Sequence, residues 1–540
     1  MSAAPRVTLV VHGRLWDGAP LAHDALAIAA GRIADVGATA ALRERWRALV
    51  EREVDAAGAT VTPGLIDAHL HLLPWARAAD DVALAGAAQR ADAVARVARF
   101  LGERPGAWPV VGRGWEASRW REAPHRAALD AVSGDRPVLL HSHDFHALWV
   151  NGAALRAAGI DARTAAPPGG VIERDAAGEA TGVLRENAVR LCAELERDAA
   201  RAAGSDAERL AAAARALHAF GITAVHDFER GADAFRAMHA FATGPGPRVR
   251  VLQCLGETQL DGAIALGIAS GVGDDAFRVG ALKLFADGTL GSSTAAMLEP
   301  YEGSTSRGLE TLEPKRMNEL VRRASESGIA VAIHAIGDRA VRNALDAFEA
   351  AGPARARPRL ASRIEHAQLV DEADLARFAA LGIVASMQPI HCTSDARLAR
   401  ERWGARCAGA YPWRTLLERG ATLAFGSDAP VESPHPGSGL AAAVTRRAAD
   451  GVPFEPRQRL TLDEALAAFT RVPAALSGAA GRLGTLAPGA HADLVVWDRD
   501  LHREAPERLH EARASCTVFA GEWVHGAAAA VPARGAGTGP

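Results

Sequence analysis

Two stretches of this 540-residue chain hold histidines close enough in sequence to share a metal ion. In "TPGLIDAHLHLLPW" the pair is His69 and His71. In "PVLLHSHDFHALW" it is His141 and His143, with His146 close behind. Alternate residues of a strand point the same way, about 6.6 Å apart along the chain, so either pair can converge on one ion. Spacing does not choose between them, and a lone histidine at a strand end is more often an ordinary hydrogen-bonded residue. Other polar residues interrupt apolar runs: Lys283 in "VGALKLF", His334 in "AVAIHA", His366 in "SRIEHA" and Asp428 in "ATLAFGSD". An unpaired ammonium is costly to bury, so Lys283 needs a partner.

Whether these residues form a set depends on the elements that carry them. Short β-branched runs alternate with long alanine-rich helical stretches, the pattern of repeated βα units. Eight candidate strands follow: 62–67, 222–227, 249–255, 279–285, 330–335, 362–367, 383–389 and 421–428. Eight such units predict an α/β fold, a (β/α)8 TIM-like barrel with its active site at the carboxyl ends of the strands. His69 and His71 then follow strand one, Lys283 lies in strand four, and His334, His366 and Asp428 end strands five, six and eight. A chance scatter of polar residues does not explain this set. His226 and Asp227 end strand two and His391 follows strand seven, which makes them candidates for substrate contact or support.

Both ends of the chain read as strands and tight turns, with Gly31 and Arg32 fitting a hairpin turn. Residues 1–61 and 476–525 are expected to form one small composite β-sandwich domain beside a barrel at 62–475. A stretch of about 75–205 separates the first two strands and is too long for a βα loop. It is expected to be an inserted subdomain covering the barrel mouth. The Ala-, Gly- and Pro-rich tail, 526–540, is expected to be disordered.

Charge is balanced, with 61 Lys and Arg against 64 Asp and Glu, which gives no reason to expect nucleic acid or an anionic membrane as partner. Cys192, Cys254, Cys392, Cys407 and Cys516 are scattered, fitting small core hydrophobes in a reducing compartment. No apolar run approaches the roughly 20 residues of a membrane helix, and the N-terminal run is too short for a signal peptide. The expected location is cytoplasmic. The expected partner is a small-molecule substrate, with a homodimer as one option.

The polar set resembles the metal-dependent amidohydrolase superfamily, which has H-x-H after strand one, lysine or carboxylate on strand four, histidines on strands five and six, and aspartate on strand eight. "LKLFADGTLGSSTAAMLEPY", "AIHAIGDRAV", "RIEHAQLV", "QPIHCTSD", "FGSDAPVE", "GITAVHDF" and "GTLAPGAHADLVVWD" are more closely similar to the amidohydrolase family 3 branch, which includes N-substituted formamide deformylase-like proteins. The resemblance implies one or two ions, zinc or another divalent metal. His69, His71 and Asp428 would hold one, and His334 and His366 a second. Lys283 matches a position where related enzymes carry a CO₂-modified, carbamylated lysine bridging two ions. A metal of this kind lowers the pKa of water to about 7 and polarises a carbonyl. Asp428 would shuttle the proton to the leaving amine. The implied reaction is hydrolysis of an amide or formamide-like C–N bond.

"DFHALWVNGAAL" is similar to the family's Asp-Gly-His-Ala-x-Trp-Val-Asn segment, with Phe145 in place of glycine. His146 is thereby a candidate substrate contact, and Phe145 a candidate to fill the pocket. Trp115 is a candidate apolar wall. Asp338 is expected to cap a helix and, with Arg339, is a further pocket candidate. Esterase or lactonase activity stays open. A deaminase of the superfamily would carry glutamate shortly after the strand-five histidine, where this chain has "AIGD". A catalytically inactive binding or scaffold protein would lack ligands, and none is missing.

Overall fold

The computed structural model describes residues 6–78, 80–106, 108–117, 120–352 and 359–526. Of the tail expected to be disordered, all but Gly526 lies outside the described residues.

All eight expected βα strands are present: β1 (Leu65–Leu70), β2 (Ile222–Asp227), β3 (Arg250–Leu255), β4 (Phe277–Phe285), β5 (Val331–Ala335), β6 (Arg363–His366), β7 (Val384–Met387) and β8 (Leu423–Phe425). They pair in chain order, and every ladder is parallel. Nearly every strand residue is buried, as expected when side chains and helices cover both faces of a parallel sheet. The helices Pro314–Glu326 and Asp338–Ala351 bury Leu320, Val321, Ala344 and Leu345 in one core with Val331 and Ile333 of β5.

The ring is nearly closed. Among the described residues no ladder joins β8 to β1, and a carboxylate does the joining. Asp67 Oδ1 accepts from the backbone N–H of His69 (3.1 Å) and of Ser427 (3.0 Å), and Oδ2 accepts from Ser427 Oγ (2.6 Å). Asp428 N–H donates to the His69 carbonyl at 2.7 Å. The approach is so close that a Cβ on Gly426 would meet His69 N at 2.4 Å.

Between β1 and β2 the chain builds a six-stranded sheet. In spatial order it runs Gly170–Arg174, Ala180–Glu186, Ala147–Val150, Val138–Ser142, Val110–Trp115 and Val82–Ala83. One face packs with Trp115, Trp120, Trp149 and Leu140, and the other with Leu139, Leu148, Val150 and Leu184. This insert therefore has cores of its own.

The chain ends form two more sheets. Val7–Val11, Ala25–Ala29, Arg32–Gly37 and Val50–Asp55 make one. In the other, Thr60–Pro63 lies between Arg14–Leu15 and Leu494–Trp497, and the sheet continues to Ala514–Phe519 and Glu522–His525. Val10, Leu26 and Ile28 share a core with Val61, Leu494 and Val518, so the two sheets pack together. The hairpin turn sits one residue earlier than its sequence signal. Ala30 (φ 50°) and Gly31 (φ 75°) form it, and Arg32 begins the strand. Two successive positive φ angles match the twist of a two-residue hairpin loop. All five cysteines are free and buried. No helix among the described residues is long and apolar enough to cross a membrane.

Candidate functional site

A cavity of about 850 Å³ lies between the carboxyl ends of the barrel strands and the insert. His69, His71, Lys283, His334, His366 and Asp428 all line it from the barrel side, and Trp115, His141 and His146 line it from the insert.

At its floor, donor atoms of His69, His366 and Asp428 lie within 4.8 Å of one another. Asp428 is the centre of the group. Its Oδ1 is 3.5 Å from both His69 Nε2 and His71 Nε2, and its Oδ2 is 4.0 Å from His366 Nδ1 and 3.9 Å from His391 Nε2. These imidazoles are aimed by other residues. His69 Nδ1 is 2.6 Å from Glu365 Oε2, so the carboxylate takes its N–H and leaves Nε2 with a lone pair. Phe228 stacks on the same ring at 4.0 Å between centroids. Gln388 Oε1 takes the Nδ1–H of His366 at 2.7 Å, and Glu229 approaches His71 Nδ1 at 3.4 Å.

The electrostatics suit a cation. Burial, reinforced by nearby positive groups, holds His69, His334 and His366 well below the ordinary histidine range, which keeps them neutral and able to donate lone pairs. Burial works against an ionised Asp428, but the hydrogen bond and positive charge of His71 hold its carboxyl below the ordinary carboxylate range. His71 is pushed up to about 9: burial opposes, and Asp428 and Glu229 prevail. His69 Nε2 is buried without a hydrogen-bond partner, so a lone pair faces a carboxylate with nothing positive between them. That arrangement costs free energy unless a cation fills it. Neutral imidazole nitrogen and carboxylate oxygen are a donor set that zinc accepts.

Lys283 and His334 stand differently. Lys283 Nζ is buried, has no hydrogen-bond partner, and lies 4.7 and 4.8 Å from the ring centroids of Phe228 and Phe285. Burial lowers its pKa to about 8. His334 packs edge-on to His366 at 4.5 Å between centroids, but its Nε2–H donates to the Gly288 carbonyl at 3.1 Å. The structure thus gathers His69, His366 and Asp428 into a compact group and leaves His71, His334 and Lys283 beside it.

His366 (φ 73°) and Asp428 (φ 61°) occupy the left-handed backbone region, which costs a non-glycine residue about 1–3 kcal/mol. The hydrogen bonds through Asp67 and His69 hold the second of these in place. Phe145, at the position read as the family's glycine, adopts φ 60° as well and lines the cavity. The backbone keeps the glycine-like conformation and adds an aromatic ring, over which Arg113 lies at 5.2 Å.

His146 reaches the cavity with its Nδ1 2.6 Å from Glu186 Oε2, and its ring lies 5.3 Å from that of His334. Trp115 lines the wall while its indole N–H donates to the Leu140 carbonyl, and His391 stands beside Asp428. Four candidates lie elsewhere: His226, Asp227, Asp338 and Arg339. His226 is not among the cavity-lining residues: it faces Arg363, whose Nη1 donates to its Nδ1 at 3.0 Å. Asp338 is also outside the lining. Gly337 is the helix N-cap, and the Asp338 carboxylate accepts the Leu298 N–H at 2.7 Å.

Sequence reading passed over Glu365, Gln388, Glu229 and Asp67. Glu365 had a weak signal as a buried carboxylate next to His366 in "RIEH". The others carry none.

A family model described as "Amidohydrolase family" matches residues 52–525. The chain is 32% identical over 518 residues to YtcJ of Bacillus subtilis (strain 168), covering 93% of this chain and 96% of that protein. It is 33% identical over 500 residues to N-substituted formamide deformylase of Arthrobacter pascens, covering 88% and 90%. Among solved structures, an uncharacterized metal-dependent hydrolase from Pyrococcus horikoshii OT3 superimposes with a TM-score of 0.74 at 25% identity, over 93% of this chain and 98% of that one.

Proposed function

The chain belongs to the amidohydrolase family and is a metal-dependent hydrolase of carbon–nitrogen bonds, and we propose that it cleaves an amide or formamide-like bond of a small molecule at Asp428. The observation that carries this reading is the Asp428 carboxylate set among imidazole nitrogens at the end of β8, with the His69 lone pair otherwise unmatched. His69, His366 and Asp428 would hold the ion, with His71 beside them and zinc as the expected metal. When bound, such an ion acidifies water and polarises the scissile carbonyl.

The chain's own groups do the rest. Asp428 accepts the proton released as water attacks and delivers it to the departing amine. Glu365 fixes the tautomer and angle of His69, and Gln388 does the same for His366. His146, held by Glu186, is placed to bind substrate from the insert side. Lys283 has the chemistry of a carbamylation site: a buried amine without a hydrogen-bond partner, its pKa lowered by burial to about 8, so that part of it is neutral and nucleophilic near neutral pH. Carbamylation would turn an unfavourable buried cation into an anion beside the ion. We read the two terminal sheets, whose strands lie within 7–63 and 494–525, as one β-sandwich domain beside a barrel that begins at β1. The free cysteines fit a cytoplasmic setting.

Metal analysis of the purified protein, followed by chelation and add-back during a screen of N-formyl and N-acyl compounds, tests the reading. Bound transition metal and metal-dependent amine release are expected. A metal-free protein, or hydrolysis indifferent to chelation, would overturn it. Incubation with ¹³C-labelled CO₂ should give a carbamate carbon resonance that is absent in Lys283→Met.

A further inference from the structure

Most arginines lining the cavity are held by carboxylates, as Arg113 is by Asp81 and Arg209 by Asp80. Arg230 and Arg190, and Arg402 after β7, differ: among the described residues none of them has a carboxylate within the 4.0 Å of an ion pair. Arg230 follows β2 and lies with its guanidinium 4.3 Å from the centroid of Phe285. The same ring packs against His334 at 5.2 Å and against Lys283 Nζ at 4.8 Å. One aromatic ring therefore separates Arg230 from the barrel-end group. A guanidinium stacked on a ring keeps its N–H edge free, and that edge matches a carboxylate with two parallel hydrogen bonds.

The neighbouring Glu229 does not satisfy it, because its carboxylate is turned to His71. Burial, with the positive charge of Arg190 adding to it, lowers the Arg230 pKa to about 10, which still leaves a cation at neutral pH. Glu229 offsets Arg230 only in part, and the two like charges that face one cavity repel each other, an arrangement a bound anion would relieve.

We propose that Arg230, supported by Arg190, is an anion subsite for a carboxylate on the substrate. The substrate class is then a small amide with a carboxylate on the arm away from the scissile bond. This deepens, and rests on, the reading of the chain as an amide hydrolase.

The test compares benzoate with its neutral isostere benzamide by calorimetric titration of the purified protein, Arg230→Gln and Arg230→Lys. Thermal unfolding of each variant confirms the fold. The wild-type protein should prefer benzoate. Arg230→Gln should lose at least about tenfold of that preference, and Arg230→Lys should recover part of it, because Lys keeps the charge but not the fork. Benzoate bound equally by wild type and Arg230→Gln would overturn the subsite. In turnover, an N-acyl amino acid should have a lower KM than its carboxamide, and Arg230→Gln should erase that difference. Equal KM values in the wild type would overturn the subsite while leaving the hydrolase reading intact. Arg230-dependent benzoate binding in a protein that hydrolyses no amide would support the subsite and sink the hydrolase reading.

Discussion

His69 and His71 at the end of β1 share their spacing with His141 and His143 in the insert, and both pairs line one cavity. Their surroundings separate them. The first pair turns two Nε2 atoms toward one oxygen of Asp428, each at 3.5 Å. The second pair is divided between two carboxylates: His141 Nε2 lies 2.6 Å from Glu196, and His143 Nε2 lies 3.5 Å from Glu432. A metal site needs donors that converge on a point, and His141 and His143 turn their Nε2 atoms to two different carboxylates. Alternation along a strand supplies two imidazoles on one side; the facing elements decide what they do.

The largest expected difference between the two regions comes from the shared carboxylate. Asp428→Asn should lower turnover by about 10²–10⁴-fold with the fold retained by circular dichroism. Turnover near the wild-type rate would remove its role in proton transfer. Next, His69→Asn should strip the purified protein of metal, whereas His141→Asn should leave metal content unchanged by elemental analysis. Equal losses would mean that the insert pair also holds an ion. A smaller effect separates the supporting carboxylates. Glu365→Gln should weaken metal affinity by about 10–100-fold through His69, while Glu196→Gln should not change it. Competition with a chromogenic chelator measures both.

The smallest effect belongs to His143. Burial opposes its protonation, but Glu432, with Asp144 and Asp395, pushes its pKa up to about 9. A folded-state value above the unfolded 6.5 stabilises the protein fully below pH 6.5, and that contribution is lost as pH rises through about 9. The side chain is 38% exposed, so solvent screening limits the contribution to less than about 1 kcal/mol. The difference in urea midpoint between wild type and His143→Gln should be present at about pH 6 and vanish by about pH 10. A difference that grows with pH would reverse the assignment.

The sequence made the barrel strands legible because a strand buried on both faces must be apolar, and a lysine, histidine or aspartate inside such a run stands out. β1 was read three residues early, since Thr62 and Pro63 belong to the adjoining terminal sheet and continue the same apolar run. Residues that act from across the barrel were not legible. Glu365 meets His69 over 296 residues of chain, and Asp67 meets Ser427 over 360. No local period links such positions. His226 shows the converse: it stands at a strand end like the ligands, but its side chain faces Arg363 instead of the cavity. Arg230 was passed over because an arginine just after a strand looks like an ordinary surface residue until its missing partner is seen.

The terminal sheet also bears on the order of synthesis. Thr60–Pro63 has Leu494–Trp497 as a neighbour, and Thr62 Oγ1 accepts the indole N–H of Trp497 from 435 residues further along. At 5–20 residues per second, a ribosome would leave that strand edge without this neighbour for roughly 20 to 90 seconds. Throughout that time the strand leading directly into the first two histidines has an open flank exposed to other nascent chains. Yield on expression, more than stability once folded, should therefore respond to the speed of translation and to chaperones that cover strand edges.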